Sequence, residues 1–460
     1  MPSLGLLGLA AVLREAGFAV AVVDAPSRNL GYREIVREVE DFRPEAVGMT
    51  AFTPSVHNAA RTADLLKEAR PGLPIVLGGP HISAAPAETF AKFGSFDVGF
   101  RGESEGSLAE LFGTLIDGGD LEHIPGLLIR KDGRVKENVP APPLKDLDSL
   151  PFPAWDLSPG FPHRYSPAAH TFRRLPAATM FTTRGCPEQC YFCDRSVFGN
   201  AVRAFSAEYV VAQIEFLIKR FRIRDITIYD DIFTLLKPRL LRITELVRKR
   251  GLDLTWSCNS RVNLADADVL AEMRKAGCWQ IGYGLESGDQ EILDRISKRI
   301  KLEQAERAVR LTDEAGIRAK GYFIIGHPGE TPETIRRTIA FAKRIPLADY
   351  QTCFFTPFPG TEIHGSAGLY GELDDDWRRM NLLTPVFVPR GLTPGIMAWW
   401  AARSYREFYF RPRIIWRYLS GIRRPEHVWQ ILRGGAALTR SLATAWMGRK
   451  AASREAAGGT

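Results

Sequence analysis

The sequence predicts an α/β protein made of a doubly wound unit, a partial (β/α)6 barrel and a helical tail. Three observations predict it. Over the first 112 residues, apolar runs of strand length alternate with stretches of helix length, as in a parallel sheet covered by helices. The alternation breaks down in proline-rich sequence and resumes from residue 173 for about six further repeats. The last stretch interleaves Trp, Tyr and Arg over helical segments. The expected boundaries are 1–125, a linker over 126–172, the barrel over 173–375 and the tail over 376–460.

In the first unit, 4–15 reads as a helix stopped at Gly17, a C-terminal breaker. Runs 19–23, 46–49, 75–77 and 98–100 have strand length, and 32–41 and 56–69 read as helices. Ligands of such sheets bind at the carboxyl ends of strands. Two loops stand there: Gly78-Gly79-Pro80-His81 and Gly102-Glu103-Ser104-Glu105-Gly106. Paired glycines let backbone approach a bulky ligand; a tight structural turn is the equal alternative. His81 reads as a turn or surface residue. In the linker, VPAPPLKDLDSLPFPAWDLSPGFP holds enough proline to oppose helix and ladder alike, so an extended strap is expected.

Barrel strands are expected at 178–183, 226–229, 254–257, 280–283, 319–325 and 351–355, with helices at 207–219, 236–250, 265–275 and 303–315. Chemistry in such barrels sits at the carboxyl ends of the strands. Those ends carry Asp230 and Asp231, Asn259 and Arg261, Glu286 and Ser287, Gly326-His327-Pro328-Gly329-Glu330, and Pro357-Phe358-Pro359-Gly360-Thr361. Asp231 and Ser287 read equally well as helix N-caps.

After the first barrel strand comes TRGCPEQCYFCDRSVFG, residues 183–199, with Cys186, Cys190 and Cys193 in one eight-residue loop. Iron–sulfur cubes normally take four thiolates, so three would leave one iron open. Structural zinc takes four ligands. The loop has no histidine, and the nearest, His170, is well upstream. Six cysteines in 460 residues do not make a disulfide framework. Cys258, Cys278 and Cys353 read as small core residues, Cys353 with redox or substrate contact as the alternative.

The cysteine loop resembles the radical S-adenosylmethionine (SAM) signature, Cys-x-x-x-Cys-x-aromatic-Cys, with Phe192 as the aromatic. LGLAAVLREAGFAV and PIVLGGPHI resemble the Rossmann-like cobalamin-binding domain that precedes many such enzymes, and LDSLPFPAWDL recurs in the same relatives. Residues 3–375 are thus similar to the B12-binding-domain radical SAM superfamily. The resemblance implies a [4Fe–4S] cluster on Cys186, Cys190 and Cys193, with SAM on the open iron and cleaved to a 5′-deoxyadenosyl radical. It places Glu286, with Ser287 beside it, at the SAM ribose, and Arg261 at the SAM carboxylate through its bidentate fork. Asp230 stands in a YDD run where relatives have Gly-Gly-Glu, at the SAM ammonium. Ile324 or Ile325 packs on adenine. His327 and Tyr283 face substrate or serve packing. Thr50, Gly78 and Gly79 line the pocket for the cobalamin tail.

Two departures accompany the resemblance. Matching the cobalt-ligating Asp-x-His-x-x-Gly to Gly5 puts Pro2 at the histidine, and the chain starts where the first strand should be complete. The implied chemistry is methylation of an unactivated carbon, one SAM serving as methyl source through cobalamin and a second as radical source. A cyclase or rearranging enzyme of the same architecture is the first alternative, and a non-catalytic cluster or corrinoid carrier the second. Implied partners are a small-molecule or lipid-like substrate and an electron donor such as flavodoxin or ferredoxin.

The composition is ordinary globular protein, 45% apolar, and the length fits two or three domains. With no apolar run of transmembrane length and no signal peptide, the expected compartment is the cytoplasm. Residues 391–460 hold 12 Lys and Arg against 3 Asp and Glu, so the net charge of +8 belongs to the tail, as do five of nine tryptophans. That tail, broken at Pro412, Pro425 and Gly434-Gly435, reads as a helical cap on the open barrel side. It reads also as a peripheral surface for anionic lipid at the inner membrane face, and the lipid-like substrate rests on it alone. No nucleic-acid motif is present. Residues 451–460 are expected to be disordered.

Overall fold

The computed structural model describes residues 1–131, 134–165, 167 and 171–420. Its first sheet has the order β1-β2-β3-β4-β5. Strands β1 (Val47–Thr50), β2 (Ile75–Gly78) and β3 (Val98–Phe100) are parallel. They alternate with helices α1 (Leu4–Glu15), α2 (Ala25–Arg28), α3 (Tyr32–Phe42), α4 (Val56–Ala69), α5 (Pro80–Ala84), α6 (Pro86–Lys92) and α7 (Leu108–Ile116). Ile75, Val76 and Leu77 are buried, as expected of a strand covered on both faces.

Two expectations are corrected here. Residues 19–23 are not a strand. Among the described residues no strand lies beside them, and β1 is the sheet edge, with Gly48 and Thr50 exposed. A run of strand propensity without a neighbour has no ladder to join. Val20 and Val22 pack instead on Ala10, Ala11 and Ala154. Residues 127–131 and 134–137, assigned to the linker, continue the sheet as the antiparallel strands β4 (Leu127–Lys131) and β5 (Arg134–Glu137). The strap that follows is anchored by apolar burial. Trp155 is fully buried and stacks on Phe161 at 4.7 Å, and Ala154 N–H donates to Leu7 O of α1 at 3.0 Å.

The second sheet has the order β13-β12-β11-β10-β9-β6 and all its pairs are parallel. The strands are β6 (Ala177–Met180), β9 (Asp225–Ile228), β10 (Thr255–Ser260), β11 (Cys278–Glu286), β12 (Arg318–Ile325) and β13 (Asp349–Phe354). A two-residue ladder, β7 (Thr183–Arg184) with β8 (Arg203–Ala204), brackets the cysteine loop. Outside pack α8 (Ala207–Phe221), α9 (Lys237–Lys249), α10 (Ala267–Lys275), α11 (Gln290–Arg295), α12 (Leu302–Glu314) and α13 (Pro332–Arg344). Consecutive parallel strands in sequential order curl the sheet into an open half-barrel, as expected.

The open side ends at β13, and α14 (Pro394–Tyr409) covers that edge. Tyr405 Oη donates to Thr352 O and accepts from Thr352 N–H, both at 3.1 Å. Tyr409 Oη accepts from Tyr350 N–H at 3.2 Å and gives its proton to the Asp349 carboxylate, with Tyr350 O 2.8 Å away. One turn apart on the helix, the two phenols satisfy backbone that an exposed edge would leave free. The cap reading of the tail therefore holds for α14. On α15 (Pro412–Ser420) and the turn before it, Phe410, Ile415 and Trp416 are exposed. Pro425, Gly434-Gly435 and 451–460 lie outside the described residues, as does His170. A hairpin of β14 (Gly371–Leu373) and β15 (Phe387–Pro389) encloses Trp377, which turns back on the first unit and packs edge-on against His81 at 4.4 Å.

Candidate active site at the carboxyl ends of the barrel strands

The cysteine loop leaves β6 and is held from below by Asp230 at the end of β9. Its carboxylate accepts from the N–H groups of Thr182 and Thr183, at 2.5 and 3.1 Å, and from the Thr182 hydroxyl. Burial pushes its pKa up against these bonds. Both oxygens are thus engaged in aiming the loop. Asp230 anchors β6 rather than standing at a SAM ammonium, which corrects its expected role.

Cys190 is buried and Cys193 exposed, with Cys186 between these extremes. The Cys193 N–H donates to Cys190 O at 3.0 Å. Arg261, after β10 and 6% exposed, reaches across to the loop. Its Nη1 lies 3.8 Å from Cys190 Sγ, its Nη2 donates to Lys298 O at 2.6 Å and its Nε stands 3.3 Å from Glu188 Oε1. A hydrogen bond from Cys193, and then Lys298 and Arg261, lower the Cys190 thiol to about 6 against the effect of burial. A thiolate is the form that binds metal.

Glu286 ends β11 beyond a register shift between Gly284 and Glu286, and it adopts φ 60°. Its Oε1 accepts from Lys298 Nζ at 2.6 Å. Burial alone would depress the Lys298 ammonium, but Glu286 and Cys190 together raise it. The same ammonium lies 6.0 Å from the Phe192 ring centroid. His327, fully buried, lies with its ring 6.2 Å from Phe192 and 5.3 Å from Phe355. Burial drives its pKa to about 3, against a contact with the Glu286 backbone that favours the charged form, so it is a neutral imidazole, and neither ring nitrogen makes a well-aligned hydrogen bond within the protein. Glu330, on the same turn, accepts from the N–H groups of Gly326 and His327.

The strand pleat decides between the two isoleucines. Ile324 packs with Phe355, in a group that also holds Tyr191 and Phe192, whereas Ile325 faces Met397 and Trp400 on the other side. Ser287 and Tyr283 are turned away from this site. The Ser287 hydroxyl pairs with Thr338 of α13 at 3.1 Å and the Tyr283 hydroxyl with Thr312 of α12 at 2.8 Å. Tyr283 thus takes its packing alternative, and Ser287, whose Oγ also accepts from Asp289 N–H at 3.2 Å, makes local contacts rather than the SAM contact that was one of its two readings. Cys258 and Cys278 are buried core, and Cys353 is half-buried, its thiol pushed up to about 12 by burial.

In the first unit, Thr50 and Gly78 pair across β1 and β2. Gly79 has φ 96°, and a Cβ there would stand 2.2 Å from Thr50 Oγ1, so no other residue fits. Thr50, Gly78 and Gly79 therefore converge. His81 is not a surface residue. It is fully buried, with Nδ1 3.1 Å from Thr53 Oγ1, and burial lowers its pKa to about 4. The second glycine loop has a structural task. Glu103 pairs with Arg184 at 2.8 Å and with Arg203 in a shorter contact, and Glu105 pairs with Arg184 at 2.6 Å. These pairs join the first unit to the two-residue ladder around the cysteine loop.

Residues 180–342 match the Radical SAM superfamily and residues 1–112 the B12 binding domain. An uncharacterised methyltransferase of Pyrococcus horikoshii is 33% identical over 90% of this chain and 89% of its own. The chain belongs to the B12-binding-domain radical SAM superfamily. The anaerobic magnesium-protoporphyrin IX monomethyl ester cyclase of Rubrivivax gelatinosus is 29% identical over 87% of this chain and 72% of its own. The cobalamin-dependent radical SAM enzyme OxsB, solved with aqua-cobalamin and SAM, shares the fold at a TM-score of 0.73 and 18% identity. That match covers 96% of this chain and 69% of OxsB.

The residues present fit the superfamily's cofactors. Among the described residues, no three His, Cys, Asp or Glu side chains converge as ligands of a single metal ion. Three thiols on one loop suit a cluster, where each binds a different iron, and Arg261 and Lys298 supply positive charge beside Cys190. At the first unit, the exposed Thr50 and the half-exposed Gly78 leave backbone and a hydroxyl open to a polar cofactor tail. Lys298 and Glu188 were not singled out in the sequence, where they stand among other charged letters.

Proposed function

We propose that this cobalamin-dependent radical SAM enzyme methylates an unactivated carbon of a small-molecule substrate. The observation that carries the reading is the buried Glu103–Arg184–Arg203 clamp. It fixes the B12-binding unit against the cysteine-loop ladder, so that both cofactor domains serve one site. When bound, the cluster and SAM supply a 5′-deoxyadenosyl radical, and cobalamin supplies a transferable methyl group. The chain's part is binding and orientation. Cys186, Cys190 and Cys193 hold the cluster, and Glu286, oriented by Lys298, accepts from the SAM ribose hydroxyls. Arg261, already against Cys190, is the cation for the SAM carboxylate, and Ile324 with Phe192 forms an apolar wall for adenine. Neutral His327 offers one donor and one acceptor inside the site without a charge.

The methyltransferase name of the Pyrococcus relative favours methyl transfer, and the Rubrivivax cyclase supports cyclisation as the second reading. The two separate with methyl-deuterated SAM. Supplied with reductant, cobalamin and a cell extract as substrate source, a methyltransferase forms S-adenosylhomocysteine with 5′-deoxyadenosine and places deuterium in product. A cyclase forms 5′-deoxyadenosine without label transfer.

An external one-electron donor such as flavodoxin or ferredoxin completes the reading, with the exposed Cys193 and Asp194 as the side it approaches. No described helix is long and apolar enough to cross a membrane. Phe410, Ile415 and Trp416, with Arg413 beside them, are the surface for peripheral contact. Absence of binding to anionic liposomes at low salt removes that part.

A further inference from the structure

Below the SAM-binding level, the half-barrel holds a partly open cavity of about 40 Å³. That is room for a few water molecules or one small polar group, not for a whole substrate. Facing it are Lys320 and Tyr322 of β12, Gln280 of β11, Ser257 and Asn259 of β10, and Thr227 of β9. None of the lining residues is Asp or Glu. Gly282 opens the space. A Cβ there would stand 2.5 Å from the Tyr322 ring and 2.7 Å from Asn259 Oδ1.

Two donors in this lining have no acceptor. Lys320 is 4% exposed and Gln280 6% exposed, and Gln280 Nε2 is buried without a hydrogen-bond partner. Lys320 Nζ lies 4.8 Å from the Tyr322 ring centroid, and among the described residues it forms no hydrogen bond or ion pair. Asp349, paired with Lys320 in strand register, is already engaged by the Tyr409 hydroxyl and by Tyr350 N–H at 2.9 Å. Tyr322 Oη donates to Asn259 Oδ1 at 3.3 Å, which leaves the Asn259 amide group as a further donor. Asp349 offsets part of the burial cost of the Lys320 ammonium through space but makes no hydrogen bond to it, and a buried ammonium without a direct acceptor is costly to the fold, a cost characteristic of sites whose partner arrives as ligand.

We propose that this lumen binds a carboxylate of the substrate, with Lys320 as its cation and Gln280 as a second donor. The proposal rests on the enzymatic reading above and narrows its substrate class to small acidic molecules. One cation with neutral donors matches a singly charged, planar group; a phosphate commonly draws on arginine forks or several cations. Glu286 pairs with Phe323, three residues beyond Lys320 on β12, so the carboxylate would lie roughly 10 Å below the ribose-binding level at the rise of a strand. A substrate anchored there presents a carbon some bonds away from its acid group to the radical. The polar lumen also argues against the lipid-like substrate expected from the tail.

The test uses the anaerobically reconstituted holoenzyme with SAM, as wild type, Lys320→Met, Lys320→Arg and Gln280→Leu. Unfolding midpoints are followed during titration with acetate, with phosphate and methylammonium as comparison ions. Acetate is expected to raise the wild-type midpoint. Its apparent affinity should fall about tenfold or more in Lys320→Met, as for one lost charge-assisted hydrogen bond. It should fall less in Lys320→Arg and Gln280→Leu. Without acetate, Lys320→Met should melt above wild type. An equal acetate response in wild type and Lys320→Met, no wild-type response, or a response to phosphate alone would overturn the proposal. If Lys320→Met does not fold, an unweakened acetate response in Gln280→Leu overturns it instead. Formation of 5′-deoxyadenosine by the wild type is scored separately. Its absence would sink the enzymatic reading and leave the acetate result standing.

Discussion

Lys298 Nζ and Glu286 Oε1 lie 2.6 Å apart, their side chains 8% and 9% exposed, beside the buried Cys190. Glu286 holds a positive φ that costs a non-glycine residue about 1 kcal/mol or more, and the lysine fixes the carboxylate in that position. One oxygen serves Lys298, leaving the other as the acceptor proposed above for the SAM ribose. Lys298→Met strands a buried carboxylate, and a stability loss of about 3–5 kcal/mol is expected by denaturant unfolding. Glu286→Gln keeps the shape but loses a charged acceptor. Equilibrium dialysis should show SAM affinity reduced by about tenfold or more, with cluster iron content retained.

Glu103 carries the contact between the two units. Burial pushes its carboxyl up, but hydrogen bonds from Arg203 and Arg184 outweigh this and hold it below its ordinary value of 4.5. The contribution is therefore present above that pH and lost as pH falls through the lower, folded-state value. Glu103→Gln should loosen the docked units. Expected outcomes are less corrinoid retained through gel filtration, increased proteolysis in the strap, and continued cleavage of SAM without corrinoid.

Glu330 behaves in the opposite sense. Burial raises it from 4.5 to about 8, so the folded protein binds a proton there that the unfolded chain has released. Its contribution is present below about pH 4.5 and lost as pH rises through about 8. Glu330→Gln mimics the protonated acid at every pH. The variant's unfolding midpoint should depend less on pH across that window and exceed the wild type's above it.

Local chemistry was legible and tertiary burial was not. The cysteine loop could be read because its ligands lie within eight residues, and the parallel strands because their apolar runs are continuous. Run 19–23 has the same propensity but no neighbour, so its strand did not form. The β4–β5 pair escaped because its residues 134–137, RVKE, are all exposed and carry no core pattern. His81 could not be placed because Trp377, which covers it, comes from nearly three hundred residues later. Ser287 sits beside Glu286 in sequence, but strand alternation turns its hydroxyl to the opposite face, against Thr338; adjacency in the motif did not show which face it would take. Lys298 and Lys320 look like solvated surface charges in the sequence. Only the folded sheet shows one paired inside the site and the other facing a cavity.

The central claim is that Cys186, Cys190 and Cys193 hold a cluster that cleaves SAM. The most direct measurement is 5′-deoxyadenosine formed per protein by anaerobically reconstituted wild type and Cys190→Ala, given SAM and a strong reductant, with iron and sulfide determined on the same samples. The wild type should form it, and Cys190→Ala should lose both cluster and product. A variant with an intact cluster that still cleaves SAM at the wild-type rate would contradict the account.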